Sequence, residues 1–185
     1  MSYPTQPAYI HTGDWDASTR SHPAMKFMEN FTRNAIDARS WTTGTPADEW
    51  HVPSFTLYKP NGEEFHGAEK AWGEGIPGIY AYFSAHLHEP NFCVVWETEG
   101  GWDMLGQANV YANLHVPGSE PKVKDGSGKE WDVVTPSAFH FAYVKDSKAK
   151  HDGVRLQSTR IFADSGPALM MMLKRGQVKT ADLGL

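Results

Sequence analysis

The chain of 185 residues has a single cysteine, Cys93. One thiol excludes an intramolecular disulfide and any cysteine-rich metal centre. Its place in the apolar run Phe92 to Trp96 reads as a small buried hydrophobe. No apolar run reaches the ~20 residues that a membrane-spanning helix needs. The segment from Met1 to His22 is polar, rich in Pro, Asp and His, and lacks an apolar stretch of signal-peptide length. A soluble, cytoplasmic protein is the expectation. Basic residues are not in excess: the net charge is −5 and the pI near 6.0, which gives no pull toward nucleic acid or an anionic membrane. There is no repeat, no low-complexity tract and no strong catalytic motif.

What the chain has is aromatic residues. Hydrophobic residues make up 40% and aromatics 12%, with seven Trp and seven Tyr. That supports one core and also a pocket or interface, because rings with polar tips suit both. Residues 1–21 read as an irregular arm, with Trp15 able to dock on the body, and residues 22–185 as a single domain. Pro23 opens a helix predicted to run to about Ser40. At 100° per residue its apolar side chains share one arc, and Asp37 falls on the opposite, water-facing side. A helical turn near Thr45–Trp50, a hairpin about Pro60-Asn61-Gly62 and a second helical region over Ala68–His88, interrupted at Pro77, come next. Long strands are predicted at Asn91–Thr98, Asp103–Val116, Trp131–Lys145 and Val154–Ala163. The loop Pro117–Lys129 is long for a hairpin connection and reads as mobile. Helices first and antiparallel strands later make an α+β fold.

Two phrases carry a resemblance. The first is Phe55-Thr56-Leu57-Tyr58-Lys59-Pro60-Asn61-Gly62 with His66-Gly67. The second is Asp152-Gly153-Val154-Arg155-Leu156 with Arg160-Ile161-Phe162-Ala163-Asp164. Over residues 23–175 the chain resembles the nuclear transport factor 2-like superfamily, and more narrowly the fungal branch of SnoaL-like polyketide cyclases and scytalone dehydratase relatives. The resemblance implies a cone-shaped roll: a strongly curved, mostly antiparallel sheet around N-terminal helices, with a deep apolar pocket. It implies a homodimer through the sheet and a cofactor-free lyase, isomerase or cyclase. Some relatives use an acid on the first helix, and this chain shows no clear inward-facing counterpart.

Other constellations are weaker. Gly73-Glu74-Gly75-Ile76-Pro77-Gly78 spells the dinucleotide fingerprint but lacks the strand before it. His86-Leu87-His88-Glu89 resembles a metal box. In a helix, imidazoles two residues apart diverge, so no metal is expected; in a strand they would converge. His140 is the leading catalytic candidate. The small residues Ala138, Ala142 and Val144 share its face, as at a cavity wall, and histidine moves protons near neutral pH. A core or surface histidine with one hydrogen bond is the plain alternative. In the next strand Arg160 needs an anionic partner, and Asp164 either supplies it, relays protons to His140, or caps the last helix. Tyr58 joins them as an enolate-stabilising candidate. His66, Tyr80, Phe83, His86 and Trp96 are candidate pocket lining. Asn109 and Tyr111 lie on a strand face that is solvated, a dimer seam or a polar wall.

The reading that follows is a cofactor-independent lyase, isomerase or cyclase of secondary metabolism. It would act by acid–base chemistry on a small apolar oxygenated metabolite, polyketide- or terpenoid-like. The alternative is a non-catalytic dimeric binding module on the same fold.

Overall fold

A computed structural model describes residues 7–184. One seven-stranded sheet dominates, in the order β1-β4-β5-β8-β9-β2-β3. Its strands are β1 (Ala8–Thr12), β2 (His51–Tyr58), β3 (Glu64–His66), β4 (Phe83–Thr98), β5 (Gly101–Leu114), β8 (Val133–Lys145) and β9 (Val154–Ala163). All neighbours are antiparallel except β2 and β9. The expected α+β roll is the observed architecture, with register shifts in β4, between β8 and β9, and between β2 and β9, where a curved sheet needs them. The helices α1 (Pro23–Phe31), α2 (Ala68–Lys70), α3 (Ile76–Tyr80) and α4 (Gly166–Lys174) are short. No helix among the described residues is long and apolar enough to cross a membrane.

The inner face of the sheet holds the core. Phe27, Met28 and Phe31 of α1 pack on Trp50, Phe55, Leu57, Phe141, Tyr143 and Leu156. A second apolar cluster joins Ala168 and Met172 of α4 to Ala112, Leu114 and Val133. The arm is not irregular throughout. Residues 1–6 lie outside the described residues, but Ala8–Thr12 pairs with β4 and Trp15 is buried.

Two helical expectations change in ways that matter for the site. After Phe31 the first helix widens into a π-turn, Thr32–Asp37. A π-turn advances each residue by less than the α-helical step, so Asp37 ends up rotated inward rather than facing water. The second helix ends at Tyr80, not His88, and β4 begins at Phe83. Another π-turn, Ala71–Gly75, leads into α3 and leaves Pro77 in its first turn, so the proline begins α3 instead of interrupting a helix. The glycines of the dinucleotide-like phrase serve packing: a Cβ on Gly75 would sit 2.8 Å from the Phe65 ring and 2.9 Å from Leu57. Gly75→Ala is expected to cost about 1–3 kcal/mol by overpacking, read as a lowered midpoint in thermal or urea melts.

The loop expected to be mobile is tied down. It forms a small hairpin of β6 (Val123–Lys124) and β7 (Glu130–Trp131). Asp125 accepts from the Trp131 indole at 2.8 Å and from the backbone of Ser127 and Lys129. Trp131 is buried over Tyr111.

His51 is fully buried, donating from Nδ1 to the Ala47 carbonyl at 3.0 Å, and burial lowers its pKa to about 4. The unfolded chain therefore takes up this proton below about pH 6.5 while the folded chain refuses it until about 4. Stability is expected to fall as pH drops through that window, by on the order of 1.4 kcal/mol per unit of displacement. Urea melts between pH 7 and 4 should show this slope, and His51→Phe should flatten it.

Candidate active site

A cavity of about 630 Å³ opens between the inner face of the sheet and the helices. Most of its wall is apolar: Met28, Phe31 and Ile36 from the first helix, Phe139 and Phe141 from β8, Met172 from α4. Three polar groups meet at one side of it.

His88 is the centre of that group. It lies on β4 with its ring toward the interior, in a cross-strand row with Val110 and Thr135, which also line the cavity. Its Nδ1 is 2.6 Å from Asp37 Oδ1, and the second carboxylate oxygen accepts from the His88 backbone N–H at 3.3 Å. The carboxylate can only accept, so the proton sits on Nδ1. That leaves Nε2 with its lone pair, and the Tyr80 hydroxyl donates to it at 3.1 Å. Burial, and secondarily the Asp37 charge, raise the Tyr80 pKa, so this phenol stays protonated and donates. The Asp37 side chain is 11% exposed and that of His88 17%, so both are withdrawn from bulk water, and His88 lines the cavity with Asp37 behind it.

His86, on the same face of β4 two residues earlier, stands behind this pair with a side chain that is 0% exposed. The ring of Tyr80 stacks on it at 4.1 Å. Its Nε2 donates to the Ile36 carbonyl at 3.0 Å, and its Nδ1 faces the Arg39 guanidinium at 3.3 Å. Burial first, then the nearby His88 and Arg39, depress its pKa to about 3. The ligand atoms of Asp37, His86 and His88 lie within 4.8 Å of one another, a spacing a cation could use. Asp37 and His88 are committed to each other and His86 to the Ile36 carbonyl, and the Arg39 charge on the far side of His86 opposes a second positive charge. The arrangement suits proton transfer better than metal binding.

Several expected site residues lie elsewhere. His140 is on the outer face of the sheet, stacked beside Trp96 and 3.7 Å from Asp103, away from the cavity. The inner positions of β8 belong to Ser137, Phe139 and Phe141. From β8 the rings of Phe139 and Phe141 face the cavity while His140 does not, which inverts the face assignment. Arg160 is also outward, with its guanidinium over the Tyr58 ring at 3.8 Å, so both leave the site. Asp164 is exposed and accepts from the Gly166 N–H at 3.0 Å, the turn-forming role before α4. His66 is exposed beside Glu64. Trp96 and Asn109 point outward with that face of the sheet, and Tyr111 is covered by Trp131. Tyr80 and Phe83 do line the cavity, and His86 supports it from behind.

The residues that sequence reasoning missed are Asp37, Arg39 and His88. The signal for His88 was present. A His-x-His pair converges on one face of a strand, but the apolar spacing from Ile76 to Leu87 imitates a helix.

The curved sheet with helices closing one face over a cavity is the fold of the nuclear transport factor 2-like superfamily. A protein of that superfamily from Salmonella enterica serovar Typhimurium matches with a TM-score of 0.52 and 13% identity, over 79% of this chain and 92% of its own. The hexachlorocyclohexane dehydrochlorinase LinA-type3 from Novosphingobium barchaimii matches with a TM-score of 0.55 and 9% identity, over 80% and 87%. A putative polyketide cyclase from Acidithiobacillus ferrooxidans matches with a TM-score of 0.52 and 16% identity, over 86% and 98%. No family model and no curated protein matches the sequence.

Proposed function

We propose that this protein is a cofactor-independent acid–base enzyme that removes a proton from carbon next to a carbonyl. The observation that carries this reading is the Asp37–His88–Tyr80 line, with His88 and Tyr80 in the wall of an apolar cavity. His88 Nε2 is the base. Asp37 fixes its tautomer and stabilises the imidazolium that forms, as a buried carboxylate does for a histidine base. Tyr80 gives up its hydrogen bond to Nε2 and donates to the carbonyl oxygen of the substrate. A carbonyl oxygen and its α-carbon are ~2.4 Å apart by ordinary bond lengths. A base and a donor that now lie 3.1 Å apart, in hydrogen bond to each other, are near enough to address both atoms of one such unit.

The α C–H bond breaks, the proton passes to Nε2, and the electron pair becomes an enolate whose oxygen Tyr80 holds. If the β-carbon carries hydroxyl, that group departs as water with the proton from His88, a net dehydration. If the β-carbon is instead joined to the γ-carbon by a double bond, the enolate extends to that carbon, and return of the proton from His88 there gives the conjugated isomer. The cavity favours a small, largely apolar, oxygenated substrate, and polyketide- or terpenoid-like metabolites have that character. A dehydrochlorinase and a putative polyketide cyclase on this fold support elimination or cyclisation as the outcome.

The test is solvent deuterium exchange into the α-position of 1-tetralone, followed by mass spectrometry, with binding read by Trp fluorescence. Exchange above the buffer rate is expected. Binding without exchange would make the chain a carrier of small molecules, and neither would remove the cavity from its function.

The partner expected through the sheet remains part of this proposal. Ile10, Val94, Leu105, His140, Arg160 and Tyr58 form one cross-strand row on the outer face. Ile10 is 64% exposed, Leu105 44% and neighbouring Phe162 52%. A second copy of the chain on this face would cover them. Leu105→Glu is expected to convert a dimer to a monomer in sedimentation velocity, and a wild-type monomer would overturn the assignment.

A further inference from the structure

Asp37, Tyr80 and His88 come from three different elements. A displacement of 1 Å in such a line can cost ~10²-fold in rate. One residue reaches all three elements. Arg39 has φ 51° and ψ 46°, a left-handed conformation that a side chain with a Cβ seldom adopts. Residues held in such regions cost of order 1–3 kcal/mol and persist where the surroundings demand it.

The backbone at Arg39 turns its side chain back over the site. Nη2 donates to the Phe83 carbonyl at 2.5 Å and approaches the Tyr80 carbonyl at 3.4 Å. Those two residues flank the corner between α3 and β4. The same guanidinium faces His86 Nδ1 from Nε at 3.4 Å and Nη2 at 3.3 Å. His86 in turn donates to the carbonyl of Ile36, the residue before Asp37. The rings of Tyr80 and Trp41 lie nearly parallel to it, at 13° and 5°. A closed circuit therefore runs from the Asp37 segment through His86 and Arg39 to the corner that carries Tyr80 and His88.

We propose that Arg39 and His86 are positioning residues, a circuit that holds the Tyr80 hydroxyl and the His88 imidazole in line with Asp37. This rests on the reading of His88 as the base. Arg39 is always charged and offers only donors. His86 Nδ1 must therefore be an acceptor, which places its proton on Nε2, where the Ile36 carbonyl requires it. His86 is locked neutral in one tautomer, in keeping with its pKa near 3. It neither competes with His88 for the substrate's proton nor rotates away from Asp37.

Long-range 1H–15N NMR of the imidazoles tests the circuit directly. Wild-type His86 is expected as one tautomer, protonated on Nε2. In Arg39→Gln its two nitrogens should move toward averaged shifts, and the turnover number for 1-tetralone exchange should fall 10- to 100-fold with KM nearly unchanged. Arg39→Lys, which keeps the charge and loses the fork, should fall between. A single His86 tautomer and a wild-type turnover number in Arg39→Gln would overturn the proposal, and so would a loss confined to KM. If Arg39→Gln does not fold, Arg39→Lys decides by the same two readings. If the wild type exchanges no probe, the reading of His88 as the base fails, and the His86 tautomer in wild type and variant still decides whether the circuit exists.

Discussion

Replacing His88 by alanine is expected to lower α-proton exchange by on the order of 10³-fold, within the range general-base catalysis supplies. The ring contributes the Asp37 and Tyr80 hydrogen bonds, edge contacts with the Tyr80 and His86 rings and part of the cavity wall, and lies outside the main apolar core, so the fold should survive. The space left behind should let added imidazole restore part of the rate. Asp37→Asn should lose on the order of 10²-fold or more, because an amide can donate to Nδ1 and so favour the wrong tautomer. Tyr80→Phe removes the donor to the enolate oxygen and should cost ~10²-fold in kcat. Far-UV and near-UV circular dichroism of each variant should match the wild type. His140→Ala serves as the contrast: on the outer face beside Asp103, it should leave the rate within about twofold. Full activity in His88→Ala, or a large loss in His140→Ala, would move the chemistry back to the residue that the sequence pattern favoured.

The largest expected effect on stability is at Asp132. Its side chain is 4% exposed and that of Arg175 3%, with the two 3.0 Å apart. Asp132 also pairs with Lys122 and accepts from the Leu114 N–H at 2.8 Å. Burial alone would raise its pKa, but the hydrogen bonds from Arg175, Lys122 and Leu114 win and hold it down at about 2. Asp132→Ala leaves a buried guanidinium with only Glu120 and the Val116 carbonyl, and an unpaired buried N–H. Removing one partner of a buried ion pair costs about 3–5 kcal/mol. Urea unfolding should show that loss, with α4 and the β6–β7 hairpin loosening first in hydrogen exchange. The depressed carboxylate contributes stability that is complete above its unfolded value near 3.8 and lost as pH falls toward 2. A variant within 1 kcal/mol of wild type would show that the cluster is a surface network after all.

How much was legible follows from where the periodicities are clean. The strands after Phe92 alternate or run apolar for many residues, and their pairing was readable from turns such as Glu99-Gly100-Gly101. The amphipathic arc of α1 was equally clear. What misled was Ile76, Ile79, Tyr80, Phe83 and Leu87, whose spacing imitates a helix across a corner at Ala81–Tyr82. Read as strand, His86, His88 and Pro90 share the inner face. Asp37 is hidden for a different reason: a regular helix would put it on the water side, and no local propensity announces a π-turn. In β8 the error was energetic. Phe139, Phe141 and Tyr143 outweigh Ala138, His140 and Ala142 in apolar area, so the rings take the inside. Small neighbours around a histidine signal an open surface as readily as a hollow one.

The widened turn at Thr32–Asp37 has an evolutionary corollary. Six steps of the wide turn, at ~82° each, sweep nearly the same arc as five α-helical steps of ~100°. Loss of a single codon there would restore the tighter winding and leave Asp37 aimed as it is, while Phe27, Phe31 and the sheet beneath kept their seats. It is the tighter winding with all six residues retained that would turn the carboxylate to water.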